Sequence, residues 1–77
     1  MNPHQVSQFI LLERRRLKAT QEQLARKAGL TRQTISAIER GDLKNVKLST
    51  IIDICIALGL DLEIGFVPKD HASGGML

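Results

Sequence analysis

Arg32 and Gln33 stand side by side at the start of a short periodic run, with Ser36 about one helical turn further on. A guanidinium is a planar fork of five donors, a glutamine amide carries a donor beside an acceptor, and a serine hydroxyl does both. Such groups pair with planar hydrogen-bonding edges. In the major groove of a DNA duplex, Arg makes a bidentate contact to guanine and Gln to adenine. Taken alone, the three are equally ordinary exposed polar residues. The case for base contact rests on the elements that hold them.

Those elements can be followed from the N-terminus. Asn2-Pro3 reads as a helix start, with Asn as the cap and Pro in the first helical position. Val6, Phe9, Ile10 and Leu17 then recur at helical spacing, and this helix is expected to end near Lys18. Thr20-Gln21-Glu22-Gln23 is a capping box opening a second helix, whose Leu24, Ala25 and Ala28 share a face and which Gly29 ends. Leu30 alone separates Gly29 from the next cap, Thr31, and Leu30 and Ile35 occupy the positions of a hydrophobic staple around it. The third helix runs to about Arg40 with Ile35, Ile38 and Glu39 inward, so Arg32, Gln33, Ser36 and Ala37 face outward. Two short helices joined by a tight Gly turn form a helix-turn-helix, which holds the start of its second helix proud of the domain. After a polar loop over residues 42–48, Ser49 is expected to cap a fourth helix over 50–58, apolar nearly all round apart from Asp53.

Two charges fall inside these apolar stripes. Arg14 lies among the inward positions of the first helix and Glu39 among those of the third. An unpaired buried charge is very costly, so an Arg14–Glu39 salt bridge between the two helices is expected. Its role is structural.

Bulk properties exclude other classes. The 77 residues suffice for one domain with a modest core. The only aromatics are Phe9 and Phe66, so that core is aliphatic. Residues 1–47 hold ten Lys/Arg against four Asp/Glu (+6), whereas residues 48–77 hold one Lys against four Asp/Glu (−3). The split fits one face aimed at a polyanion, or simply two solvated surfaces. His4, His71 and Cys55 are scattered, without metal-ligand spacing. Ser36 has no His near it in sequence and there is no Gly-rich phosphate loop, so neither an enzyme, a metal nor a cofactor is expected. Cys55 reads as a small buried residue suited to a reducing compartment. The opening Met1-Asn2-Pro3-His4-Gln5 has no leader pattern and no apolar run reaches a membrane span. Together these make a cytoplasmic protein, not a membrane one, the expectation.

Thr20-Gln21-Glu22-Gln23-Leu24-Ala25, then Ala28-Gly29-Leu30-Thr31, then Ile35-Ser36-Ala37-Ile38-Glu39-Arg40-Gly41 resemble the lambda-repressor-like (Xre/Cro) helix-turn-helix family, and Glu13-Arg14-Arg15 fits its first helix. The resemblance covers about residues 6–60. It implies a four- or five-helix domain that binds palindromic operator DNA as a dimer, in the bacterial cytoplasm at the nucleoid. Carried over by position, it places Arg32, Gln33, Ser36 and the neighbouring Ala37 against base edges. Gln21 then hydrogen-bonds a backbone phosphate, Thr31 and Thr34 sit near phosphate, and Arg40, Lys44, Asn45 and Lys47 line the backbone side. Lys18 departs from the pattern, standing where the family often has Gly.

A second departure lies at the C-terminal end. Leu60, Leu62, Ile64 and Phe66 alternate with Asp61, Glu63 and Gly65, a strand pattern over 60–67 with one apolar face. A lone strand cannot satisfy its own backbone. Its simplest partner is the same strand of a second copy, antiparallel about a two-fold axis, with Ile52 and Ile56 of the fourth helix packed beneath. Folding back on its own domain, or adding to another protein's sheet, are the alternatives. The expected architecture is thus mainly α: a four-helix lambda-repressor-like domain over 1–67, one strand paired across a dimer, and a flexible tail over 68–77. This ending resembles Hip-type antitoxins, in which a helix-turn-helix dimer represses its own operon and holds a kinase-like toxin. That resemblance implies such a toxin as a further partner. Small size and the lack of a recognisable activation surface favour a repressor. The rival reading is an interaction module that mainly neutralises a toxin or other partner, with DNA binding secondary.

Overall fold

The computed structural model describes residues 2–63 and 65–68. It contains four helices: α1 Pro3–Arg16, α2 Gln21–Ala28, α3 Arg32–Glu39 and α4 Leu48–Ala57. α2 packs on both α3 and α4, and α1 packs on α3. Ile10, Leu24, Ala25, Ile35, Ile38, Ile54, Ala57 and Leu58 form the buried cluster between them, with Val6, Ala28, Leu30, Leu43, Val46, Ile51 and Leu60 around its edge. The core is aliphatic throughout. Phe9 and Leu17, taken from the sequence as part of the inward stripe of α1, are instead about half exposed (52% and 45%), and so is Leu12 (54%). The inward face of α1 is Val6, Ser7, Ile10 and Arg14.

The caps are largely those written in the sequence. The Asn2 Oδ1 accepts the Gln5 backbone N–H at 2.8 Å, and the Gln5 side chain accepts the Asn2 N–H at 3.0 Å. Thr20 and Gln23 form the same reciprocal pair at the start of α2. Thr31 caps α3 by accepting the Thr34 N–H at 3.2 Å. The fourth start differs from the expectation. Lys47, not Ser49, is the N-cap of α4, with no side-chain cap bond, and helix begins at Leu48. The reason lies in the preceding loop. A turn closed by the Val46 N–H onto the Leu43 carbonyl (3.2 Å) packs both side chains against the core and leaves Lys47 extended, so the chain enters the helix there.

All four helices end in one hydrogen-bond pattern, in which two successive N–H groups reach back to the last free carbonyls. In α2 the Leu30 N–H meets the Ala25 carbonyl (2.8 Å) and the Gly29 N–H meets that of Arg26 (3.3 Å). The pattern needs one residue in the left-handed region; Gly29, Gly41 and Gly59 supply it for α2, α3 and α4. In α1, which ends at Arg16 rather than Lys18, that residue is Lys18 at φ 59°. The Lys18 N–H bonds the Arg15 carbonyl (2.9 Å) and the Ala19 N–H bonds that of Arg14 (3.2 Å). Lys18 is the only non-glycine with positive φ among the described residues, and it stands where the family often has Gly.

No strand forms among the described residues. The described residues offer 60–63 and 65–68 no second strand to pair with. Leu60 packs against the domain's own core, whereas Phe66 and Val67 are 96% and 86% exposed. Ile64, and most of the tail expected over 68–77, lie outside the described residues.

The strain at Lys18 is directly measurable. A side chain in the left-handed region costs roughly 1–2 kcal/mol, and glycine gives back about half of that through its greater unfolded-state freedom. Lys18→Gly is therefore expected to stabilise the domain by roughly 0.5–1 kcal/mol and raise Tm by a few degrees. Lys18→Ala, which keeps the Cβ, should leave it nearly unchanged. Thermal melts of both variants check this; equal melting points for the two would remove strain as the explanation.

Candidate nucleic-acid interface

The site begins with the group that fixes α3. The Glu39 carboxylate, at the last residue of α3, receives Arg14 Nε at 2.6 Å and Arg14 Nη2 at 3.0 Å. Both side chains are largely withdrawn from solvent (11% and 4% exposed). The bridge expected from the inward charges is present and bidentate. It also extends further than the sequence indicates. Arg14 Nη1 donates to the Ala19 carbonyl at 2.7 Å, and Gln21 Nε2 donates to Glu39 Oε1 at 3.0 Å. The pair therefore ties together α1, the α1–α2 turn, the start of α2 and the end of α3. Burial by itself pushes the Glu39 carboxyl up. The Arg14 fork, the Gln21 amide and the charges of Arg14 and Arg15 outweigh that and hold it below its ordinary value of 4.5. The hydrogen bond to Glu39 raises Arg14 in turn, against its own burial.

α3 is anchored at this end and open at the other. Arg32 and Gln33 in its first turn are exposed, and Ser36 and Ala37 are half-buried. Arg32, Gln33, Ser36 and Arg40 line one open depression of about 160 Å³. Arg40 Nη1 donates to Ser36 Oγ at 2.6 Å, so the arginine lies back along the helix. The sequence groups Arg40 with the loop cations; in the structure it shares the walls of one depression with Arg32, Gln33 and Ser36. The four-residue step from Ser36 to Arg40 is the sequence signal for that placement. Ala37 adjoins the depression without lining it. Lys44, Asn45 and Lys47 are exposed on the loop before α4 and are not among its walls.

The residues assigned to phosphate have further partners. Thr31 spends its hydroxyl on the helix cap and stands 3.0 Å from the Thr34 hydroxyl. One amide proton of Gln21 is spent on Glu39. The other remains, as does the backbone N–H of Gln21 at the first position of α2, where a helix leaves its N–H groups pointing outward.

A helix-turn-helix family profile matches residues 10–64, from the middle of α1 past the end of α4. The chain belongs to the lambda-repressor-like (Xre) helix-turn-helix family. Comparison with curated proteins gives no match. The helix-turn-helix pair here is α2 and α3, and a domain of this family is a double-stranded-DNA-binding module of transcriptional regulators.

Other features of the domain are chemically quiet. Cys55 is buried, and burial pushes its thiol up, away from the reactive thiolate. Among the described residues no group of three or more His, Cys, Asp or Glu is placed to share a metal ion. No described helix is long and apolar enough to cross a membrane. A second, apolar groove of about 630 Å³ runs between the start of α1, the loop and α4, with Val6, Leu43, Val46, Ile51 and Leu62 on its walls.

The Glu39 network carries a pH signature. Its carboxyl is depressed in the folded state, so its contribution is fully present above the ordinary value of 4.5 and is lost as pH falls through the lower folded value. Glu39→Ala leaves the part-buried Arg14 with only the Ala19 carbonyl as a partner, an expected cost of roughly 1–3 kcal/mol near neutral pH. Urea titrations at pH 6 and pH 3 should show the gap between wild type and variant narrowing at the lower pH. A gap that stays constant would mean the carboxylate's charge is not what the fold uses.

Proposed function

We propose that this domain binds a palindromic operator as a homodimer and represses transcription from it. The carrying observation is the anchoring of α3: Glu39, its last residue, is locked to Arg14, while Arg32, Gln33 and Ser36 line an open depression along its outer face, with the hydrogen-bonding types that guanine and adenine edges accept. Arg32, Gln33, Ser36 and Ala37 face the bases. Gln21, Thr31, Thr34, Lys44, Asn45 and Lys47 address the flanking phosphates, which set register and salt dependence rather than sequence preference.

Dimer formation is supported by apolar surface the monomer leaves open. Ile52 and Ile56 of α4 are 38% and 68% exposed, and Leu62, Phe66 and Val67 follow them in the exposed segment after it. Pairing of residues 60–67 between two copies gives their backbones partners and covers this apolar group. The two reading helices then meet half-sites about one helical turn apart.

A second reading, that the chain chiefly holds a protein partner such as a kinase-like toxin, draws support from Phe9 and Leu12. Both are about half exposed on α1, outside the depression on α3 and outside the α4 surface assigned to the dimer. The two functions coexist in one molecule, and one variant separates them.

Fluorescence-anisotropy titrations at physiological salt test the DNA function, comparing a duplex from upstream of the chain's own gene with a scrambled duplex. The expected preference is at least about 10³-fold. Arg32→Ala with Gln33→Ala should abolish it, each base contact contributing about 1–3 kcal/mol, and should leave binding of a neighbouring gene's product intact. Equal, weak, salt-sensitive binding of wild type to both duplexes would reduce the interaction to non-specific phosphate attraction.

Sedimentation equilibrium tests the dimer. Ile56 is too exposed in the monomer for Ile56→Asp to disturb the core, so that variant should fold and sediment as a monomer where wild type is a dimer. A dimeric variant would refute the α4 interface.

A further inference from the structure

Arg40 differs from the other cations near α3. It is the C-cap residue of that helix at φ −80° and ψ −5°, still close to helical geometry. A helical side chain leans toward the helix N-terminus, and Arg40 leans far enough for Nη1 to reach the Ser36 hydroxyl, one turn back, at 2.6 Å. With 3.6 residues per turn, positions 32, 33, 36 and 40 fall within a single arc of roughly 100°. That arc is the depression whose walls are these four side chains. Among the described residues no carboxylate lies within ion-pair distance of Arg40, and its bond to Ser36 uses one of its five donors.

We propose that Arg40 is a specificity-determining residue that reads a guanine in the major groove, rather than a phosphate contact. The inference rests on the DNA-reading function proposed above and deepens it. Holding a phosphate needs positive charge near the backbone, and Lys44 and Lys47 on the exposed loop supply that as flexible point charges. Arg40 offers a planar fork whose long stem is restrained by Ser36, so less side-chain freedom is lost when the fork meets a planar acceptor edge. The Cα atoms of Arg32 and Arg40 stand two turns apart, roughly 12 Å along the helix. The two forks therefore address different base pairs, with Gln33 and Ser36 between them. Ser36 takes a double role: it faces the bases and it aims Arg40.

The experiment is selection from a pool of duplexes with a randomised core, at physiological salt, using wild type, Arg40→Lys and Arg40→Ala. Lysine keeps the charge and loses the fork. The expected result is that at least one position where wild type enriches guanine loses that preference by about 5-fold or more in both variants. On the duplex that wild type selects best, Arg40→Lys should leave the slope of log binding constant against log salt unchanged. If Arg40→Lys retains every base preference, the inference is overturned. Arg40→Ala would then be expected to weaken all duplexes alike, with a salt slope shallower by about one, as for a phosphate contact. If wild type enriches no sequence at all, the DNA-reading function itself fails and this inference with it. A preference lost only in the variants leaves that function standing.

Discussion

The presentation of α3 depends on one buried carboxylate. Glu39 accepts both arms of the Arg14 fork and the amide of Gln21, while Arg14 also grips the Ala19 carbonyl. The end of α1, the turn after it, the start of α2 and the end of α3 meet at this point. Replacing a buried ion pair by well-packed apolar groups is often neutral or stabilising, so net stability is not what distinguishes it. Its consequence is orientation. A bidentate contact fixes both distance and roll, and any slip of α3 against α1 leaves two charges out of water without partners. An aliphatic core of Ile and Leu side chains has no comparable directional preference.

That constraint matters because α2 and α3 are eight residues each, too short to persist alone in water. Hydrogen bonds at both ends compensate. Thr20 and Thr31 satisfy donors at the starts, and the paired backbone bonds that finish each helix satisfy acceptors. Between the two helices, the Leu30 N–H closes the end of α2 while its side chain packs on the core, and the next residue caps α3. The turn thus has no free segment in which the inter-helix angle could drift. Rigidity at the Glu39 end and in the turn is transmitted to the opposite end of α3, where Arg32 and Gln33 stand in solvent. A residue that must meet a base edge within hydrogen-bond distance needs that kind of support.

What the sequence made legible follows from locality. Asn2, Thr20 and Thr31 each accept from an N–H group three residues on, so their capping roles are visible in a short window. Arg14 and Glu39 were visible as a pair because each interrupts an apolar stripe, and a buried charge demands its opposite. Gln21 was harder. It lies at a helix start, where its bond to Glu39 depends on the angle between helices and has no periodic signature. Lys18 concealed a left-handed residue behind a side chain that rarely adopts one. The start of α4 was set by packing of Leu43 and Val46 in the loop, which outweighed the local preference for Ser49 as a cap. Phe9 fitted a helical spacing but fell on the wrong side of α1, since with four short helices only a narrow stripe is covered. The segment 60–67 carries an alternating pattern whose partner, in the dimer proposed here, lies on another chain; a pattern of that kind shows which face is apolar and not what covers it.

The charge division along the chain gains a geometric sense under the proposed function. The basic half contains α1, α2, α3 and the loop, and with them every residue proposed to meet bases or phosphate. Asp53, Asp61 and Glu63 stand exposed around the apolar residues of α4 and the segment after it. In the proposed assembly these carboxylates would repel phosphate from the surface that a second copy covers, so the duplex and that copy would not compete for one face. One recognition helix addresses only a few base pairs, and a specificity ratio of 10³ or more needs the contacts of two. A domain this small has no room for a second reading helix of its own. Doubling it about a two-fold axis, through the acidic and apolar α4 surface proposed for the dimer and outside the depression on α3, would supply one while leaving both anchored helices free to enter the groove.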